Sequence, residues 1–158
     1  MAFRLSLVVV ALISSHVFAG NTFAQTDQKS SSSTDYQSQL TSYDSFIERH
    51  RGTPMAFEAQ FLAARTSLEA ARFERAIGYL KDLENGLVDI GDFILSMRAK
   101  AQRSLKRWDG ARSSWELLLR NHPSSPLRDE ASFGIADSYY AEGKLTKAYK
   151  YYSSSMKK

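Results

Sequence analysis

The sequence predicts an all-α protein: about seven helices stacked as antiparallel hairpins in a right-handed solenoid. Three observations carry this. Apolar residues recur at helical spacing, as in Trp108, Ala111, Trp115 and Leu118. Helix breakers punctuate the pattern at Gly52-Thr53-Pro54, Asn85-Gly86, Pro123 and Pro126. The chain also repeats itself. Displaced by 72 residues without a gap, His50 falls on His122, Pro54 on Pro126, Phe61 on Phe133, Ala64 on Ala136, Ala76 on Ala148 and Tyr79 on Tyr151. The single period is about half of that, since Ala76 to Ala111 is 35 residues and Ala111 to Ala148 is 37.

Taken in order, residues 1–24 read as a secretory signal peptide. Arg4 gives the positive start, residues 5–13 are an apolar run broken only by Ser6, and Ala19 and Ala24 end two small-residue cleavage sites. That run is too short to span a bilayer comfortably, so no membrane span is expected once it is removed. Residues 25–35 are polar and serine-rich without an apolar side chain, and read as a flexible linker. Helical repeats are expected over 36–158. Leu40, Tyr43, Phe46 and Ile47 make the first apolar face. Thr53 is placed to cap the second helix, with Pro54 in its first turn and Phe57, Phe61, Ala64 and Leu68 inward. Ala76, Leu80 and Leu83 mark a third helix, ended by Asn85-Gly86. A fourth spans 90–105 with Ile94, Met97 and Ala101 inward. The fifth carries the Trp108 stripe, a sixth covers 127–141, and the seventh begins at Leu145.

The alanines have a finer register. A small residue in the first helix of each hairpin is followed twelve later by an alanine in the second: Ala64 and Ala76, Ala99 and Ala111, Ala136 and Ala148. Bulky Phe73, Trp108 and Leu145 stand three before each second alanine, and Leu80, Trp115 and Tyr152 four after. Pro123 lies twelve beyond Ala111, Tyr139 and the turn glycine Gly143 complete the last repeat, and Val88 stands where the first would carry its proline. This pattern resembles tetratricopeptide repeats. The segment from His122 to Ala131 is in addition similar to repeats of exported bacterial envelope proteins, and to the helical superhelix that precedes the catalytic domain of soluble lytic transglycosylases. Those resemblances imply a periplasmic repeat protein with protein or peptidoglycan partners. Two readings follow: a non-catalytic scaffold, or the N-terminal part of a peptidoglycan-cleaving transglycosylase whose catalytic domain is absent.

Composition narrows the chemistry. The absence of cysteine excludes disulfides, thiolate metal sites and cysteine nucleophiles. The formal charge is +4, split into seven basic and nine acidic residues over 25–86 against thirteen and eight over 87–158. That mild bias, without interleaved aromatic platforms, does not predict nucleic-acid binding. The transglycosylase resemblance implies a catalytic glutamate followed by serine, and no glutamate here is so followed. No catalytic residue, cofactor or metal is therefore expected. His50 and His122 occupy equivalent helix ends before proline turns, without metal-ligand spacing. The candidates for partner binding are a basic patch read onto one helix face, Lys100, Arg103 and Arg107 with Lys106, and the exposed tyrosines Tyr140 and Tyr149. Tyr139 and Tyr152 fit the core, leaving Tyr151 with the outward tyrosines. The last helix is expected to lack a capping partner, which predicts self-association through it.

Overall fold

The computed structural model describes residues 28–155, with side chains from Asp35 onward. The expected signal peptide lies outside the described residues. Among the described residues there are seven α-helices: α1 (Gln28–Arg49), α2 (Pro54–Glu69), α3 (Phe73–Tyr79), α4 (Gly91–Ser104), α5 (Trp108–Asn121), α6 (Arg128–Ala141) and α7 (Leu145–Ser155). Two 3-10 turns, Leu83–Asn85 and Val88–Ile90, join α3 to α4. Each helix packs chiefly on its neighbours in the chain, as in a solenoid. Hairpins α2–α3, α4–α5 and α6–α7 are the repeats, preceded by α1. The fold is an all-α solenoid of the tetratricopeptide type.

The alanine register sets the packing. All six paired alanines are essentially inaccessible to solvent, and so are Leu80 and Trp115. A methyl group at these sites lets two backbones approach where a longer side chain would hold them apart. Two cores form. Ala64, Leu80, Leu83, Ile94 and Met97 make one, covered by Phe57, Phe61 and Leu68. Leu95, Ala99, Trp115, Leu118, Ala131 and Ile135 make the other. In the second, Trp115 is set against Gly134: a Cβ at Gly134 would fall 2.4 Å from the indole nitrogen. Glycine is required there by contact rather than by backbone conformation.

The turn between the two helices of each hairpin is built alike three times. Ala71, Lys106 and Gly143 are left-handed, with φ of 53°, 57° and 74°. The amide that follows donates back to the carbonyl five residues upstream: Arg72 to Ser67 at 2.7 Å, Arg107 to Gln102 at 2.9 Å and Lys144 to Tyr139 at 2.9 Å. This satisfies carbonyls that the end of the first helix leaves open. Only the third turn uses glycine, the residue that adopts this conformation without strain. At the start of α2, the Thr53 hydroxyl accepts from the Ala56 amide at 3.3 Å and Pro54 is the first helical residue.

Two local readings are corrected. Residues 25–35 are not linker throughout, since α1 begins at Gln28: a helix nucleated by the apolar face around Leu40 extends upstream at little cost once its first turn exists. The third helix stops at Tyr79, not at Asn85. Gly78 weakens its last turn, Asp82 is left-handed at φ 57°, and the chain turns to bury Leu83 from a 3-10 segment. In the register, Leu145 is exposed where Phe73 and Trp108 are half-buried.

Two stability measurements test this register. Ala111→Leu forces methylenes into a filled space and is expected to cost about 1–3 kcal/mol in urea melts. Ser113→Leu, two positions on and exposed, is expected to stay within about 0.5 kcal/mol. Equal destabilisation would refute the assigned faces. In the turns, Lys106→Gly relieves a left-handed lysine and is expected to stabilise by about 0.5–1 kcal/mol. A loss of stability would show that the Lys106 side chain contributes more than its backbone strain costs.

Candidate partner-binding surfaces

The helices lie in two rows. First helices α2, α4 and α6 are neighbours. The rings of Phe61 in α2 and Phe93 in α4 have centroids 6.3 Å apart. Between α4 and α6, Glu130 receives Ser96 at 2.9 Å and Lys100 at 2.8 Å, and Asp137 receives Arg103 at 3.5 Å. Second helices make the other row. Arg75 in α3 pairs with Asp44 in α1 at 2.6 Å, and Arg107 at the start of α5 pairs with Glu74 in α3 at 2.9 Å.

The predicted basic patch is therefore divided. Lys100 and Arg103 sit on the first-helix row, each paired with a carboxylate of the next repeat. The chain reverses at left-handed Lys106, so Arg107 emerges on the second-helix row and pairs there. Sequence distance hid this, because the paired carboxylates are thirty or more residues away. The charges of this patch tie repeats together, leaving less field to attract an anionic polymer than the sequence suggests.

The tyrosines also separate. Tyr140 and Tyr149 are 63% and 74% exposed, as anticipated. Tyr151 is not an outward residue: its ring lies 5.4 Å from that of Tyr139, against the second core. Tyr152 is half-buried beside Phe133, with centroids 6.3 Å apart, and its hydroxyl donates to Asp137. Asp137 thus joins α4, through Arg103, to α7, through Tyr152. That hydrogen bond, with burial adding to it, pushes the Tyr152 hydroxyl up to about 12 from its usual 10.0. At Glu130, burial alone would raise the carboxyl, but the hydrogen bonds from Lys100 and Ser96 outweigh it and hold the group below the usual range.

Sequence reasoning missed two arginine clusters. Arg112 is buried between α5 and the α6–α7 turn, bonded to Asp109 and Glu142, with its guanidinium carbon 4.3 Å from the Tyr139 ring centroid. Arg98 reaches Glu84 at 3.2 Å, the Leu80 carbonyl at 3.4 Å and Ser114 at 3.2 Å, so it holds the short third helix to both members of the next hairpin. A half-polar helix face gives no sign of such partners. What the first-helix row leaves open is aromatic: Phe93 and Phe133 are 46% and 42% exposed, with Met55, Val88 and Ile90 exposed near the starts of α2 and α4. Rings half in solvent beside paired charges suit a protein surface better than a polyanion.

Residues 96–155 match the tetratricopeptide repeat family. The match covers most of α4 and all of α5, α6 and α7. The first repeat, with its short α3 and Val88 in place of proline, lies outside it. No curated protein matches the chain. Among the described residues, no three His, Asp or Glu side chains group as metal ligands, and no helix is long and apolar enough to cross a membrane.

The raised Tyr152 hydroxyl gives a pH prediction. Its neutral form is favoured by folding, so this contribution to stability is complete below pH 10 and is lost as pH rises towards about 12. In an alkaline titration followed by tyrosine absorbance, Asp137→Asn is expected to bring the Tyr152 step back towards its ordinary value. An unchanged profile in that variant would remove the hydrogen bond as the cause.

Proposed function

We propose that the protein is a non-catalytic interaction scaffold that holds a partner protein against the first-helix row. The observation that carries the reading is the open aromatic pair on that row, Phe93 and Phe133, set among charges already paired. Tetratricopeptide repeats present one face of stacked helices to other proteins, and the matched segment supplies two of the three first helices here. Aromatic side chains that stay part-exposed because no neighbour covers them are the typical anchors of such surfaces.

The finer part of the proposal is the setting. The charged start, apolar run and small-residue sites of residues 1–24 support export, and the His122–Ala131 resemblance supports a periplasmic role beside peptidoglycan-associated proteins. The reading as part of a lytic transglycosylase rests on the same resemblance and has no glutamate-serine pair to support it.

Two experiments test the proposal. A photo-crosslinking residue at position 133 in living cells is expected to capture a discrete protein partner, and the same residue at exposed Glu116 on α5 is not. Phe93→Ala and Phe133→Ala are each expected to weaken that complex about tenfold or more, the range of an interfacial aromatic anchor. Capture from both positions alike, or sedimentation of the protein with purified peptidoglycan instead, would overturn the protein-partner reading. Export is tested by the N-terminal mass of the native protein: a chain beginning at Met1 or Ala2 would refute it.

A further inference from the structure

The second-helix row holds a cleft that the scaffold reading does not use. It lies between α3 and α5, over α4, with a volume of about 610 Å3. Its origin is the short third helix. Because α3 ends at Tyr79 after seven residues, it runs beside only part of the fourteen-residue α5. A Cβ at Gly78 would meet nothing within 4 Å, so the space over the last turn of α3 is open. Ile77 and Leu117 form apolar walls, and the floor is the Arg98–Ser114–Gln102 network.

The charges in this cleft do not cancel. Arg98 is committed to Glu84, and Glu74 to Arg107. Lys81, two residues beyond the end of α3, and Arg120 near the end of α5 are exposed, both line the cleft, and neither has an ion-pair partner among the described residues. The sum is an apolar slot with two uncommitted cations, in a protein that elsewhere pairs its inter-repeat cations with carboxylates.

We infer that this cleft docks an extended acidic segment of a partner protein, with an aliphatic side chain between Ile77 and Leu117 and carboxylates on Lys81 and Arg120. Charge complementarity selects the occupant. An anionic side chain gains from both cations, while a cationic or purely apolar segment would leave them unsatisfied or repelled. The glycine on α3 lets the segment's backbone come close to that wall.

The probe is a fluorescein-labelled peptide of alternating glutamate and leucine, read by anisotropy at moderate salt. Saturable binding is expected, about tenfold or more weaker in Lys81→Glu/Arg120→Glu, and likewise for the peptide with glutamine in place of glutamate. The equal charge change in Arg49→Glu/Lys150→Glu, away from the cleft, is expected to leave binding within about twofold at that salt. Circular dichroism checks that each variant is folded. Because the chain has no cysteine, Ser113→Cys places a single thiol on the cleft wall, and the peptide is expected to slow its alkylation. No binding to the parent protein, equal loss in both double variants, or alkylation at Ser113→Cys unaffected by saturating peptide would each overturn the inference. Crosslinking from position 133 is independent of all of these, so failure here leaves the first-helix proposal standing, and the reverse holds as well.

Discussion

Close approach of helix backbones at the alanine pairs is the constraint on which the remaining structure depends. Ala64 and Ala76, Ala99 and Ala111, Ala136 and Ala148 are buried with almost no remaining accessible surface. With the backbones held this near, the bulky neighbours must interdigitate: Leu80 fills the space in the first repeat and Trp115 in the second. Trp115 in turn needs Gly134 beneath it, because even a methyl there would overlap the indole. One small residue thus requires a large one, and the large one requires a second small one in the next repeat. This chain of requirements holds neighbouring hairpins in a fixed register. It also leaves the indole nitrogen of Trp115 without a hydrogen-bond partner among the described residues, which trades one buried donor for the contact area of the ring.

The polar links follow from that register. Carboxylates on α6 meet cations on α4 because the two first helices are held side by side, and the same holds for α1, α3 and α5. Exposed pairs such as Lys100–Glu130 add little stability individually. Their larger effect is on recognition. Cations spent on a neighbouring repeat are not available to a ligand, so the first-helix row offers rings and the second-helix cleft offers its two free charges.

The fold was legible because its determinants are local and periodic. The alanine spacing, the Thr53-Pro54 start and the Gly143 turn each follow from residue type at a fixed offset. The short α3 was not legible. Leu80 and Leu83 fit a continuing apolar stripe as well as they fit a turn, and what decides is Asp82 in a left-handed conformation, which its residue type permits but does not demand. At Ala71 and Lys106 the left-handed conformation of the turn residue was hidden for the same reason. Tyr151 and Tyr152 are adjacent, and each finds part of its cover in a different neighbour, so periodicity alone could not rank them. The candidate sites were legible as residue types and not as places. Tyr140 and Tyr149 are exposed as read, while the basic patch dissolved once partners from the next repeat were present.

The least regular repeat is therefore the most informative about recognition. A regular array buries each helix face against an equivalent one and leaves similar surfaces along its length. Where the second helix is cut short, as α3 is, its neighbour keeps a face that nothing in the repeat pattern is built to cover. The chain here closes the deep part of that gap with Arg98, bound to Glu84, the Leu80 carbonyl and Ser114. The outer part stays open. Arg98 makes the gap stable and polar at its base without filling it, and a gap of that kind has the properties of a binding cleft: fixed walls, satisfied floor and free charge at the rim. Departure from the repeat is thus the feature through which a scaffold of similar units acquires a site that differs from its other surfaces.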